Sequence, residues 1–148
     1  MSTITIGWGK PTIKVARAGT NNWEEFATPV EDSTQLTTTQ GDKMEARVEG
    51  GGNEAVRFNA NTYELAFSIR QVPGRKEIIE DIDGVVPYEY SVCVTPENEN
   101  AIGCSIQRAA VNVQVSYSAA EGVVKTYTFS TLKPGGNEPQ VELKPLST

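Results

Sequence analysis

The chain contains no histidine, and the residues whose spacing could do chemistry are its paired carboxylates, its two thiols and its glycine-rich stretches. That absence removes histidine metal sites and every nucleophile that relies on an imidazole base. Adjacent acids occur at Glu24-Glu25, Glu31-Asp32 and Glu80-Asp81. Neighbouring acids on a strand point to opposite faces, and acids in loops are solvated charge, so none of these forms a general acid–base pair. Asp81-Ile82-Asp83-Gly84 has the opening of a calcium loop, but Val85 and Val92 stand where its later ligands belong. Gly50-Gly51-Gly52 is followed by Asn53 rather than a Lys-Ser/Thr pair, so it reads as a hairpin tip or bulge and not a phosphate loop. Cys93 and Cys104 read as two reduced thiols. The expectation is a non-enzyme with no catalytic residue, no metal and no cofactor.

At 148 residues the chain fits one domain. Its 38% apolar content, with many Gly, Pro, Thr, Ser and Asn, suits a β-rich fold with numerous turns. Nineteen acids against thirteen bases give a net charge of −6, with no basic patch for gripping a phosphate backbone. Such a surface suits nucleic acid that slides past without being held. No secretory leader and no apolar run long enough for a membrane helix is legible, so cytoplasmic synthesis without a membrane partner is expected.

The strongest local pattern is Val111–Thr131, where Val111, Val113, Val115 and Tyr117 alternate with polar residues and a second arm contains Tyr127 and Phe129. Period two with β-branched and aromatic enrichment around Ala120-Glu121-Gly122 predicts a long antiparallel hairpin. Its other face, Asn112, Gln114, Ser116, Thr126 and Thr128, is polar but uncharged and is a candidate inter-subunit face. Strands are also predicted at Thr62–Arg70, Tyr88–Thr95 and Val141–Leu143, with a short lead-in at Cys104–Ile106.

Lys43–Glu49 alternates, with Met44, Ala46 and Val48 on one face and Lys43, Glu45, Arg47 and Glu49 on the other. Glu54–Phe58 continues it, with Val56 and Phe58 expected to point inward. The one plausible helix is Arg75–Asp83, where Ile78, Ile79 and Ile82 make a narrow stripe before Gly84. Residues 1–33 read as an irregular arm holding both tryptophans, Trp8 and Trp23, with Ile13 and Val15 alternating in a short extended piece, and residues 34–148 as the β core. The fold expected is all-β and mainly antiparallel, a β-sandwich or partly closed barrel with one short flanking helix.

From Trp23 onward the chain resembles the tail tube (major tail) proteins of long-tailed bacteriophages, in particular those of Bacteroidota-type prophages. The stretches carrying the likeness are TTTQGDKMEARVEGG at 37–51, NTYELAFSIR at 61–70, GRKEIIEDIDGVVPYEYSVCVTPEN at 74–98 and YTFSTLKP at 127–134. The resemblance implies a structural virion protein, assembled in the bacterial host cytoplasm. Its subunits would form homo-hexameric rings stacked into a hollow tube through which DNA passes without specific binding. Terminator, tape-measure and baseplate or tip proteins would be further partners. On that view Lys43, Glu45, Arg47 and Glu49 are candidates for lumen or interface, and Trp8, Trp23, Gly50, Gly51, Gly52 and Asn53 for ring stacking. The implied family extends to contractile injection devices, whose tubes carry effectors. A monomeric β-sandwich that binds carbohydrate or acts as an adhesin is the competing expectation.

Overall fold

The computed structural model describes residues 6–7, 9–30, 33–75, 78–98, 100–134 and 138–145. Among these residues ten strands run in the order β1 (Thr12–Arg17), β2 (Glu24–Glu25), β3 (Gln35–Thr39), β4 (Lys43–Arg47), β5 (Asn53–Phe58), β6 (Thr62–Arg70), β7 (Tyr90–Thr95), β8 (Gly103–Ser118), β9 (Gly122–Thr131) and β10 (Val141–Lys144). Eight of them form one antiparallel sheet, ordered β2-β1-β7-β8-β9-β6-β3, with β10 also paired to β8. The remaining two, β4 and β5, pair only with each other.

The predicted long hairpin is the spine of this sheet. Val111 pairs with Phe129, Val113 with Tyr127 and Tyr117 with Val123. Its first arm extends back through the lead-in to Gly103, giving a strand of sixteen residues. Gln107-Arg108-Ala109-Ala110 carries little strand propensity, so this continuity comes from pairing on both sides rather than from local preference.

One face of the sheet is apolar. Ile13 and Val15 from β1, Leu65, Phe67 and Ile69 from β6, Tyr90 and Val92 from β7, and Tyr127 and Phe129 from β9 form a single buried cluster with Phe26 and Ile79. Phe26 follows β2 and donates its N–H to Ile13 at 2.9 Å, yet its ring lies 5.0 Å from Phe67 and 5.1 Å from Tyr127. A residue bonded to β1 therefore touches β9 and β6, three and four strands away in the sheet order, so the sheet curls over its own core. Val30 and Ser33 then tie this connection to Ser68 on β6 through bonds of 2.8 and 3.2 Å. The result is sandwich-like and all-β, and the sheet does not close into a barrel. Each fully buried aromatic contributes roughly 1.5–3 kcal/mol of transfer free energy.

Antiparallel pairing also fixes the ends. Strands β1, β8 and β6 start at one end of the body, where β7, β9 and β3 finish. The β4–β5 ribbon leaves from that first end, between Thr39 and Thr62. The β8–β9 tip and the segment preceding β7 lie at the opposite end.

Several expectations need correction. No helix occurs among the described residues: within Arg75–Asp83, residues 76 and 77 lie outside them, and the rest is irregular, with a bend at 78–79 and a bridge at Ile82. Ile79 enters the core while Ile82 is 81% exposed, so the isoleucines never share one face. Asp83 and Gly84 adopt φ of 53° and 85°, the pair of positive angles that a type I′ turn requires, and Ile82 bridges to Val85 across them. A Cβ at Gly84 would sit 2.7 Å from the Val113 carbonyl, so glycine is required both for the turn and for its approach to β8. Within the expected N-terminal arm, β1 is an interior strand of the sheet, flanked by β2 and β7, and its Ile13 and Val15 are each 1% exposed. Tyr88, read as part of the third strand, precedes it and is half-exposed.

A candidate assembly surface

The β4–β5 ribbon stands apart from the core, and every residue of both strands is exposed. Its base is pinned by the Asn59 N–H donating to the Asp42 carbonyl at 2.8 Å, and by the Gly41 N–H donating to Asn61 Oδ1 at 3.1 Å. Lys43, Glu45 and Arg47 do share a face. Lys43 Nζ lies 2.6 Å from one Glu45 oxygen and Arg47 Nε 3.1 Å from the other. These two cations, Lys43 foremost, hold the Glu45 carboxyl below its ordinary value. Glu49 does not join them, because β4 ends at Arg47 and Glu49 lies in the turn.

Register decides what else this face carries. Lys43 is opposite Phe58 and Glu45 opposite Val56, so the apolar pair expected to point inward instead shares the charged face. Phe58 is 51% exposed. The other face combines Met44 and Ala46 with Ala55 and Arg57. A bulge between Ala46 and Arg47 then sets Asn53 opposite Arg47. At the tip Gly50 and Gly51 have φ of 94° and 89°, and the Val48 N–H reaches the Gly52 carbonyl at 3.0 Å.

The other candidates are dispersed. Trp23 is partly exposed beside β2, far along the sheet order from the ribbon, and Trp8 lies outside the described residues. Asn112 pairs with Thr128 and Gln114 with Thr126, so this polar set does occupy one sheet face, where Thr126 and Ser68 hydroxyls are 2.9 Å apart. Past the core the opposite face of the same hairpin exposes Val115 and Tyr117. Cys93 lies opposite Ser105 while Cys104 lies opposite Val94, so the two thiols project from opposite faces and remain unpaired. Burial pushes the Cys104 thiol up to about 11.

A groove of about 780 Å³ has no counterpart among the sequence expectations. It lies at the end of the body opposite the ribbon, where β1 finishes and β7 begins, and its walls include Arg17, Glu24, Glu80, Asp81, Ile82, Val85 and Tyr88. Arg17 sits 3.7 Å over the Tyr88 ring, and Asp81 accepts the Gly84 N–H at 2.9 Å with Lys125 3.8 Å away. The signal that points here is Asp83-Gly84 flanked by Ile82 and Val85, a hairpin-turn dipeptide between β-branched residues. Among the described residues there is no cluster of three or more His, Cys, Asp or Glu suited to a metal, and no helix long and apolar enough to cross a membrane.

No family model matches the chain, and no curated protein matches it in sequence.

Proposed function

We propose that this chain is a structural subunit that assembles with copies of itself, as the tail tube subunit of a long-tailed phage does, in stacked hexameric rings enclosing a conduit for DNA. The observation that carries this reading is the β4–β5 ribbon. A lone two-stranded ribbon is marginal in water, and this one exposes Met44, Val56 and Phe58 on its strands and Val48 just beyond β4, with no further strand paired to it among the described residues. Such a feature is stabilised by a surface on another molecule. The face bearing Lys43, Glu45 and Arg47 also carries Val56 and Phe58, which suits contact with protein better than lining a lumen. Further support comes from the −6 charge, which opposes retention of nucleic acid. The flanking helix implied by the resemblance is absent among the described residues, so the reading stands on the ribbon and not on a match of folds.

The test is the mass of the purified protein in solution together with negative-stain microscopy. Rings or tubes with a central hole are expected. A strict monomer at high concentration, even with the tail initiation complex of its own phage present, overturns the proposal.

A further inference from the structure

The ribbon and the groove around Ile82 and Val85 lie at opposite ends of the subunit, and each lacks what the other offers. On the ribbon, the Met44 face holds Ala46, Ala55 and Arg57 and no acid. Met44 is 55% exposed, and Arg57 has no hydrogen-bond or ion-pair partner among the described residues. On the groove, Ile82 is 81% and Val85 67% exposed, an unusual degree for β-branched residues flanking a turn. Beside them Glu80 is exposed and likewise has no partner among the described residues. Among its described lining residues the groove carries three acids, Glu24, Glu80 and Asp81, and one base, Arg17, whose guanidinium is placed over Tyr88; Lys125 lies 3.8 Å from Asp81, which leaves Glu80 as the acid that meets a second copy.

Resting on the reading of this chain as a self-assembling subunit, we propose that the Met44–Arg57 face of one copy's ribbon seats in the Glu80–Ile82–Val85 groove of a second copy. Met44, Ala46 and Ala55 cover Ile82 and Val85, and Arg57 pairs with Glu80. Complementary charge and apolar surface select this partner. The location of the two surfaces selects the geometry. Because they lie at opposite ends of the strands, a copy that receives a ribbon still presents its own to the next. The contact is heterologous and propagates head to tail, as stacking requires. The second large groove, which includes Pro11, Leu36, Leu65 and Gly103, opens at the ribbon's own end and cannot receive a copy stacked along the strands.

The full chain is tested by sedimentation velocity over a concentration series, with negative-stain images of the same samples and circular dichroism to verify the fold. Arg57→Glu and Glu80→Arg alter exposed side chains, so both variants fold. Each is expected to lower the association constant about tenfold or more, and the variant carrying both, with the charges exchanged, to recover it. Single variants that assemble like the unaltered protein overturn the groove as receiver, as does a double variant no better than the singles, or a closed ribbon-to-ribbon dimer insensitive to Glu80→Arg. In each of those cases self-assembly itself stands. An unaltered chain that never associates, with or without its tail initiation complex, overturns both proposals.

Discussion

Arg108 holds Glu89 with two hydrogen bonds of 2.8 Å, one from Nε and one from Nη2, while its Nη1 donates to the Lys133 carbonyl at 3.1 Å. Three segments meet in this clamp: the residue before β7, the middle of β8 and the exit from β9. It sits where the β7–β8 register shifts between Tyr90 and Val92, and where the Ser91 hydroxyl donates to the Gln107 carbonyl at 2.6 Å. A bulge leaves backbone groups without ladder partners, and these side chains secure the strands beside it.

The Arg108 hydrogen bonds hold the Glu89 carboxyl below its ordinary value of 4.5. A depressed carboxylate contributes stability that is complete above the unfolded value and is lost as pH falls through the folded one. Glu89→Gln therefore lowers the melting temperature at neutral pH, and its difference from the unaltered protein shrinks as pH is taken below 4.5. A pH series of thermal melts on both proteins measures this. Because both side chains are more than 40% exposed, the shift is modest and decreases in high salt.

Phe67 and Phe58 separate the core from the ribbon. Phe67 is fully buried and stacks on Phe129 with centroids 5.6 Å apart, whereas Phe58 is half-exposed. Urea unfolding of the monomer should show Phe67→Ala losing about 3–5 kcal/mol. Phe58→Ala should remain within about 0.5 kcal/mol in the same assay.

The Gly50–Asn53 tip touches only its own ribbon: a Cβ at Gly50 or Gly51 would find no atom within 4 Å, and Asn53 lies opposite Arg47. Shortening 50–53 to a two-residue Asn-Gly turn leaves the monomer's circular dichroism and melting temperature unchanged, and on the assembly reading it impairs stacking into tubes. Loss of folding would instead show that the tip is structural.

Cys104 is partly buried, with its thiol pushed up to about 11, so at pH 9 only roughly 1% is thiolate. Iodoacetamide at pH 8.5, followed by peptide mass analysis, should label Cys104 far more slowly than an unhindered thiol. In the unfolded protein in urea the difference should disappear.

The sequence by itself determined the strands with a strong period-two pattern. Tyr63–Ile69 and Val111–Phe129 alternate so plainly that their buried sides, Leu65, Phe67, Val113, Tyr127 and Phe129, are legible from the order of residues alone. The uncharged polar face from Asn112 to Thr128 is legible for the same reason, since alternation fixes which residues share a side.

What the chain could not show alone is how strands meet. In the ribbon, each strand alternates correctly, but pairing sets Val56 and Phe58 beside Lys43 and Glu45 instead of beside Met44, because register is a relation between two strands and a bulge can shift it. The three isoleucines of 78–82 carry helical spacing, yet Asp83-Gly84 supplies a turn that β8 accepts, and tertiary pairing overrides a stripe so short. Ile13 and Val15 alternate as a short extended piece, but their place in the core is not legible for a related reason: a six-residue strand among glycines acquires its core position only when β7 binds alongside it. Arg57, Glu80, Ile82 and Val85 lie far apart in the chain or in a turn, and it took the curled sheet to set the ribbon at one end and the groove at the other. Local alternation wrote the core, and strand-to-strand pairing decided which surfaces are left exposed.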